Sequence, residues 1–542
     1  MFKQSSPNYI LSKPLSVLIA AVFLFAGCKN ESVKPVTVTK TIAKTITNTT
    51  LTDVVSPVGV PFKNMLGVDS YPWDFLQNPS DPSDVGSIYL PKMTLIKSFS
   101  QVRHYLDWNY LEDVQGSYTY NPVNSGSWNL DAIYAGCIAN NITSLVDIKC
   151  CPNWLLATYP VALQDDEDVP APYGLNLNAP SSYIDQAKAA FQFAARYGSN
   201  TAVNKALLSV NSTPRWTGDA INVIKVGLNT VKYIECDNER DKWWKGPATI
   251  QTAQQYAANM SAFYDGDMGK LGKGIGVKAA DPNMIVVMGG LAKGDTTWVR
   301  DMINWCITHR GYKADGSINL CFDVINYHYY NFNAAGTAGK APEQSGADTT
   351  ADAMVRVAKS LKNPPEVWIT ESGYDINPGS PLHAPAIGSK SAEDVQADWI
   401  LRTALLYMKH GITRLFFYQL FDDTPGDPQQ FATCGLAQGL SRRPAADYVV
   451  EAKNLLGDYV YQKSLSSSPR VDVYSNGVKT IYALYMTTAQ GLTAPYSLNV
   501  GSTSATVYTL NPASPTITST VKKTTAGVLK VTVGETPMFV SN

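Results

Sequence analysis

The chain has 542 residues, a net charge of −1, 16% charged residues and 45% hydrophobic residues. That length exceeds one small domain, although an α/β barrel can use roughly 250 residues as a single unit. The even charge balance excludes the basic surface expected of a nucleic-acid binder, and the apolar content is that of a globular chain.

The first predicted element is an address. Lys3 and Lys13 precede the apolar run "LSVLIAAVFLFAGC". The run falls short of the about 20 apolar residues that span a bilayer and fits the h-region of a signal peptide. Ala26-Gly27 before Cys28 resembles a bacterial lipobox, with Phe25 where Leu is usual. The expectation is a lipoprotein signal peptide over 1–27, lipidation of Cys28, and export to a bacterial membrane, facing the periplasm or the cell surface. A plain secretory signal is the competing reading. The stretch "VTVTKTIAKTITNTTLTDVV" extends a Thr-rich tether over 28–59.

From about residue 60 to 457, short β-rich runs alternate with longer amphipathic ones. Eight strands are expected: "NMLGVDSY", "SQVRHYLDW", "TSLVDIKC", "VKYIECD", "MIVVMGG", "FDVINYHYY", "PEVWITES" and "ITRLFFYQL". Helical patterns separate them, among them "NLDAIYAGCIANN", "SYIDQAKAAFQFAARYG" and "TTWVRDMINWCITHRG". "SAEDVQADWILRTALLYMKHG" opens on Ser391 and Asp394 in a capping-box arrangement. Eight alternating units predict an α/β fold, a (β/α)8 TIM barrel. A doubly wound open sheet would carry a Gly-rich phosphate loop after an early strand, and none is visible. Residues 458–542 change to short alternating runs, "VDVYSN", "KTIYALYMT", "YSLNVG", "ATVYTLN", "VLKVTV" and "PMFVSN". These predict a small antiparallel β-sandwich domain, either a structural domain packed on the barrel or a binding module.

Cysteines 137, 150, 151, 236, 306, 321 and 434 lack regular spacing and read as small buried hydrophobes. There is no CxxC or HExxH, and the chain has five His. No metal site and no cofactor is expected.

In a TIM barrel the chemistry lies at the C-terminal ends of the strands. Strand 4 ends in Asn238-Glu239 and strand 7 in Glu371, which face each other across the barrel mouth. Strand 2 carries Arg103, strand 6 carries His328 and Tyr330, and strand 8 runs toward Asp422 and Asp423. Two opposed carboxyl groups are what retaining glycoside hydrolysis requires, one as nucleophile and one as acid/base. Aromatic residues follow the same strands: Tyr71 and Trp73, Trp108, Trp154, Trp243 and Trp244. They are read as sugar platforms on the rim, with packing beneath the loops as the plain alternative. Trp368, inside strand 7, is read as packing. Glu235, Asp237 and Glu239 nominally share one strand face, and Glu235 is read as a buried ion-paired partner. The long segments 152–180 and 372–390 are expected to wall a cleft.

Asn-Glu at the end of strand 4 and Glu at the end of strand 7, on this barrel, resemble the clan A retaining glycoside hydrolases. The resemblance covers roughly 60–457. "DVINYHYY" is similar to strand 6 of the arabinofuranosidase and xylosidase families of that clan, and a β-sandwich after the barrel recurs in families such as 30, 39 and 51. The frequent Asn-Glu-Pro is Asn-Glu-Arg here, and Tyr418, Gln419 and Phe421 stand where strand 8 commonly has Trp, so no single family is named. The resemblance implies that Glu239 is the general acid/base and Glu371 the nucleophile. Arg103 and Tyr330 would support Glu371, Asn238 would bind the sugar 2-hydroxyl, and His328 would line the pocket.

The expected function is hydrolysis of a β-linked polysaccharide or oligosaccharide by double displacement, acting within the chain. The alternatives are an exo-acting β-glycosidase of xylosidase or galactosidase type, and a non-catalytic glycan-binding lipoprotein. A zinc or calcium hydrolase forms a third class. The expected partners are the glycan and, through the lipid anchor, a membrane, with no nucleic acid.

Overall fold

The computed structural model describes residues 59–81, 83–122 and 127–542. The expected signal peptide, Cys28 and all but the last residue of the expected tether fall on 1–58, outside the described residues. No helix among the described residues is long and apolar enough to cross a membrane.

The predicted eight parallel strands form and close. They are β1 (Gly67–Ser70), β2 (Gln101–Asp107), β3 (Thr143–Lys149), β4 (Tyr233–Cys236), β5 (Ile285–Met288), β6 (Val324–His328), β7 (Glu366–Glu371) and β8 (Arg414–Phe417). Each pairs with the next, and β1 pairs with β8, in one closed barrel. The four helices anticipated from periodicity form over Leu130–Ala139, Ile184–Tyr197, Thr296–His309 and Ala392–Lys409. The last starts on the expected Ser391/Asp394 capping box.

Side chains alternate along each strand, so every second residue enters the barrel. Leu145, Tyr233, Val287, Val324, Trp368 and Phe416 pack together as its apolar floor. Trp368 is core, as read from the sequence. Toward the C-terminal ends, β1, β2, β3, β4 and β6 carry Asp69, Arg103, Asp147, Glu235 and Asn326, all fully buried. Apolar packing thus fills the lower barrel, and a polar layer lies between it and the mouth.

A small hairpin, β9 (Ala437–Gln438) and β10 (Ser441–Arg442), follows the barrel. The C-terminal domain contains β11 (Val460–Ser467), β12 (Arg470–Ser475), β13 (Thr480–Tyr485), β14 (Ala494–Asn499), β15 (Ser504–Thr509), β16 (Thr518–Lys523), β17 (Val528–Val533) and β18 (Met538–Ser541). Six of these form an antiparallel sheet in the order β11-β12-β13-β18-β15-β16, and β14-β17 form a second. The expected sandwich is present, with two strands more than the sequence pattern revealed. Polar "VYQKSLSS" and the fully exposed "TSTVKK" lack the apolar alternation that marks a half-buried strand.

The six-stranded sheet divides its residues between two cores. Val471, Val473 and Leu484 face Tyr496, Leu498 and Val531 of the smaller sheet. The intervening Tyr474, Ile481, Ala483 and Tyr485 belong to the large core that runs through the barrel's outer layer. The domain is therefore packed on the barrel.

A buried ion pair reinforces this junction. Arg402 donates to both carboxyl oxygens of Glu343, at 3.1 and 2.5 Å, and to the carbonyl of Thr488 at 2.9 Å. Removing one member of such a pair strands the other charge. Arg402→Met is expected to lower unfolding free energy by about 3–5 kcal/mol. Denaturant titration should show most of that loss restored when Glu343 is also made apolar.

Candidate active site

The strands deliver their polar residues to one guanidinium. Arg103 donates Nε and Nη2 to the two oxygens of Glu235, at 2.7 and 3.1 Å. It also reaches Asp147 at 3.1 Å, the Asn238 side-chain oxygen at 2.8 Å and Glu371 at 2.9 Å. Asp69 stands at 3.9 Å. Burial pushes the carboxyls of Asp69 and Asp147 well above their ordinary values, against the pull of Arg103.

Glu371 is held from several directions. Arg103 and the Tyr105 hydroxyl donate to one oxygen, and Tyr330 donates to the other at 2.9 Å. Burial would raise its carboxyl, but the charges of His328 and Arg103 and the two tyrosine hydrogen bonds outweigh it and hold it below the usual glutamate value. The β6–β7 register shifts after Tyr327, pairing His328 with Glu371. Thr370 still reaches the polar layer, where its hydroxyl lies 2.7 Å from the Asn326 amide nitrogen. The irregularity lets two consecutive residues serve the site.

Glu239 comes from a different local device. Regular strand geometry ends at Cys236, and Asp237 and Glu239 take left-handed φ values of 67° and 50°. Such a conformation disfavours non-glycine residues and persists where the surroundings enforce it. Here Asp237 accepts from the Asn238 backbone at 2.7 Å and from Arg240 at 2.6 Å. The Glu239 amide donates to the carbonyl of Gly290 at 2.9 Å. The nominal sharing of one face by Glu235, Asp237 and Glu239 is corrected accordingly: Glu235 points into the polar layer, Asp237 pairs with Arg240, and Glu239 turns to the mouth. Glu235 is the ion-paired partner that the sequence suggested.

Two glycines allow the close approach. A methyl group on Gly289 would collide with the backbone of Cys236 and Asp237, and one on Gly290 would run into the His328 ring. His328 Nδ1 lies 2.8 Å from Glu239 and 3.4 Å from Glu371, and its Nε2 meets the Thr370 hydroxyl at 3.1 Å. Burial lowers the imidazole pKa, but the two glutamates outweigh it and the result is raised. The Asp241 side chain accepts from the Ala292 amide at 2.9 Å.

The structure therefore brings Glu239, Glu371, Asn238, Arg103, His328 and Tyr330 together. It divides the tryptophans. Trp243 and Trp244 are exposed, edge to face, with ring centroids 4.7 Å apart. With Glu239, Tyr330, Phe332 and Phe431 they line a cavity of about 680 Å³. Trp108 is a correction: it is 1% exposed, and its indole N–H bonds the Glu112 carboxylate at 2.7 Å. Trp154 is a second correction. It packs edge to face on Trp108 at 5.5 Å and donates to the Glu112 carbonyl, as part of the loop's own packing. The cavity walls come from loops after β4, β5, β6 and β8, whereas 387–390 line a crevice against the sandwich. A smaller cavity of about 330 Å³, lined by Trp73, Lys92 and Phe421, opens at the β1 and β8 loops. Sequence reading missed Tyr105, Asp69, Asp147 and Thr370. Their signal was strand alternation, which places all but Thr370 in register with residues it did identify.

No protein-family model matches the chain, and no curated protein matches it. Solved structures do. One is a family 39 glycoside hydrolase from the gut symbiont Bacteroides cellulosilyticus WH2, with TM-score 0.59 and 16% identity over 90% of this chain and 83% of that one. Another is a GH30 endoxylanase from Clostridium papyrosolvens C71, with TM-score 0.50 and 12% identity over 90% of this chain and 97% of that one. The catalytic domain of GH30 xylanase C from Talaromyces cellulolyticus has TM-score 0.51 and 11% identity over 90% of this chain and 98% of that one. At these identities the likeness is one of fold, that of a closed eight-stranded parallel barrel followed by a β-sandwich.

Proposed function

We propose that the protein is a retaining glycoside hydrolase that cleaves a β-linked glycan within its chain. The observation that carries this reading is the disposition of the two glutamates. One carboxyl oxygen from each lies within 4.8 Å of the other and of a His328 nitrogen. Retaining enzymes need carboxyl groups about 5–5.5 Å apart, whereas inverting enzymes leave about 6.5–9.5 Å for a water.

In this reading Glu371 attacks the anomeric carbon and the leaving oxygen takes a proton from Glu239. Water, deprotonated by Glu239, then releases the sugar from Glu371. Arg103, Tyr105 and Tyr330 keep Glu371 ionised and on line. His328 and Glu239 hold a proton between them through their 2.8 Å contact. The Asn238 amide, fixed by Arg103, presents its nitrogen to the 2-hydroxyl. The cavity lined by Glu239, with the exposed Trp243 and Trp244 on its wall, supports binding of a chain that continues past the cleaved bond. The lipobox-like segment supports export and lipidation at Cys28.

Glu239, His328 and Glu371 are also a possible set of cation ligands. The chemistry favours the metal-free reading, because both Glu371 oxygens already accept hydrogen bonds and Arg103 supplies the positive charge.

Glu371→Gln and Glu239→Gln are each expected to lower kcat by at least about 10³-fold on a hydrolysed glycan, on the scale of losing a nucleophile or a general acid. Chelator should leave wild-type activity unchanged, and NMR of the first-formed product should show the substrate's anomeric configuration. Wild-type activity in both variants, or an inverted product, overturns the mechanism.

The pH profile gives a separate check. Glu371 is held low, so activity should persist to below pH 4.5 on the acid side. Tyr330→Phe removes one stabilising hydrogen bond from the carboxylate, so its pKa rises. The acid limb of kcat/KM should move up by about one pH unit, the worth of a hydrogen bond to a charged group.

A further inference from the structure

Lys149 ends β3 two residues beyond Asp147 and therefore faces the barrel mouth one layer above the Arg103 cluster. Its partner across the ladder is Asp107, and Tyr105, the partner of Asp147, stands between Asp107 and Arg103 on the same face of β2. The ammonium lies 4.8 Å from the centre of the Tyr105 ring, the same ring whose hydroxyl bonds Glu371. Strand ends facing the mouth are where a TIM barrel places the residues that touch substrate.

The amine is short of partners. Its side chain is 15% exposed, and it donates no hydrogen bond to any described residue. The nearest carboxylate, Glu167, is 4.0 Å away. Glu167 is already committed to Lys242 at 3.2 Å and Lys245 at 2.7 Å. Asp107, opposite in register, forms no ion pair with Lys149, and burial pushes its carboxyl upward. Burial works against the Lys149 charge, but the acidic groups around it, Asp107 and Glu167 among them, outweigh it and keep the amine cationic. A largely buried cation with three donors to fill asks for an anion, and a neutral sugar does not supply one.

Lys149 does not line the Trp243–Trp244 cavity and lies among Tyr71 and Tyr105, which stack at 5.0 Å. Tyr105 also bonds Glu371, so with Glu371 read as the nucleophile this neighbourhood receives the sugar that is attacked. We propose that Lys149 binds an acidic group on this sugar, a uronate carboxylate or a sulfate ester, so that the substrate is an acidic glycan. The inference rests on the glycosidase reading and narrows its substrate class.

The test uses matched pairs: β-linked glucuronate-containing oligosaccharides beside their carboxyl-reduced forms, and sulfated galacto-oligosaccharides beside their desulfated forms. The wild-type protein should favour one acidic member over its neutral counterpart by about 10- to 100-fold in kcat/KM, the worth of a charge-assisted hydrogen bond. The pair that responds identifies carboxylate or sulfate. Lys149→Met should collapse that ratio, Lys149→Arg should keep part of it, and added salt should shrink it in the wild type. Calorimetry with Glu371→Gln reads the same preference without turnover. Hydrolysis with no acidic preference, or a ratio unchanged in Lys149→Met, overturns the inference and leaves the glycosidase reading intact. Lys149-dependent binding of an acidic oligosaccharide, without hydrolysis of any glycan by the wild type, overturns the glycosidase reading instead.

Discussion

The site depends on one guanidinium that has to serve four carboxylates. Asp69, Asp147, Glu235 and Glu371 converge on Arg103 from β1, β3, β4 and β7, and none of them is more than slightly exposed. Four buried negative charges against one positive would be prohibitively costly in a low-dielectric interior. The cluster resolves this by protonation, with Asp69 and Asp147 driven toward their neutral forms. Glu235 takes the planar two-pronged contact that arginine alone can offer, and Glu371 receives a single prong. Glu371 is thereby held in its charged form while Asp69 and Asp147 are driven toward neutrality. A lysine at 103 would be a point donor and could not hold five strands in register with the carboxylate they present.

The second constraint is at the end of β4. A regular strand would have carried Glu239 inward along the line of Glu235, into the cluster. Left-handed turns at Asp237 and Glu239 break that line and bring the carboxylate to the mouth. The conformations are intrinsically unfavourable, of order 1–3 kcal/mol each, and are offset by local partners. The Asp237–Arg240 pair is one of these. The Gly289–Gly290 backbone, which approaches because neither residue has a side chain, is another. The crowd of charges after β4 is therefore mostly scaffolding for one of its members.

Much of this was legible in the sequence. The eight barrel strands are short apolar runs with clear ends, and the barrel geometry then assigns a place to whatever residue ends each run. That logic located Glu239, Glu371, Arg103, His328 and Tyr330. It failed where the side chain's partner, not its position, decides the role. Trp108 and Trp154 follow β2 and β3 as a rim residue should, but Glu112 supplies an acceptor for each indole, and they pack beneath the loops. No local pattern encodes a contact between residues 42 positions apart in the chain. Asp69 and Asp147 were overlooked for the converse reason: alternation gives the face of a strand but not the charge that waits inside. The strands over 460–467 and 518–523 escaped because little or none of their surface is apolar.

The two glutamates are held very differently, and the difference matches the roles proposed for them. Glu371 accepts from Arg103, Tyr105 and Tyr330, and its side chain is 9% exposed. Glu239 has His328 as its side-chain hydrogen-bond partner among the described residues, and its side chain is 17% exposed on the wall of the open cavity. A nucleophile benefits from a fixed position and a fixed ionisation state. An acid/base has to surrender a proton in one step and recover it from water in the next, which a fully braced carboxylate could not do. The sparse hold on Glu239 leaves it in touch with the cavity where, in the proposed mechanism, leaving group and water arrive. Its one partner, His328, is itself fixed by Thr370 from β7, the strand that carries the nucleophile. A shift in β7 would thus displace both members of the pair together and preserve the spacing on which double displacement depends.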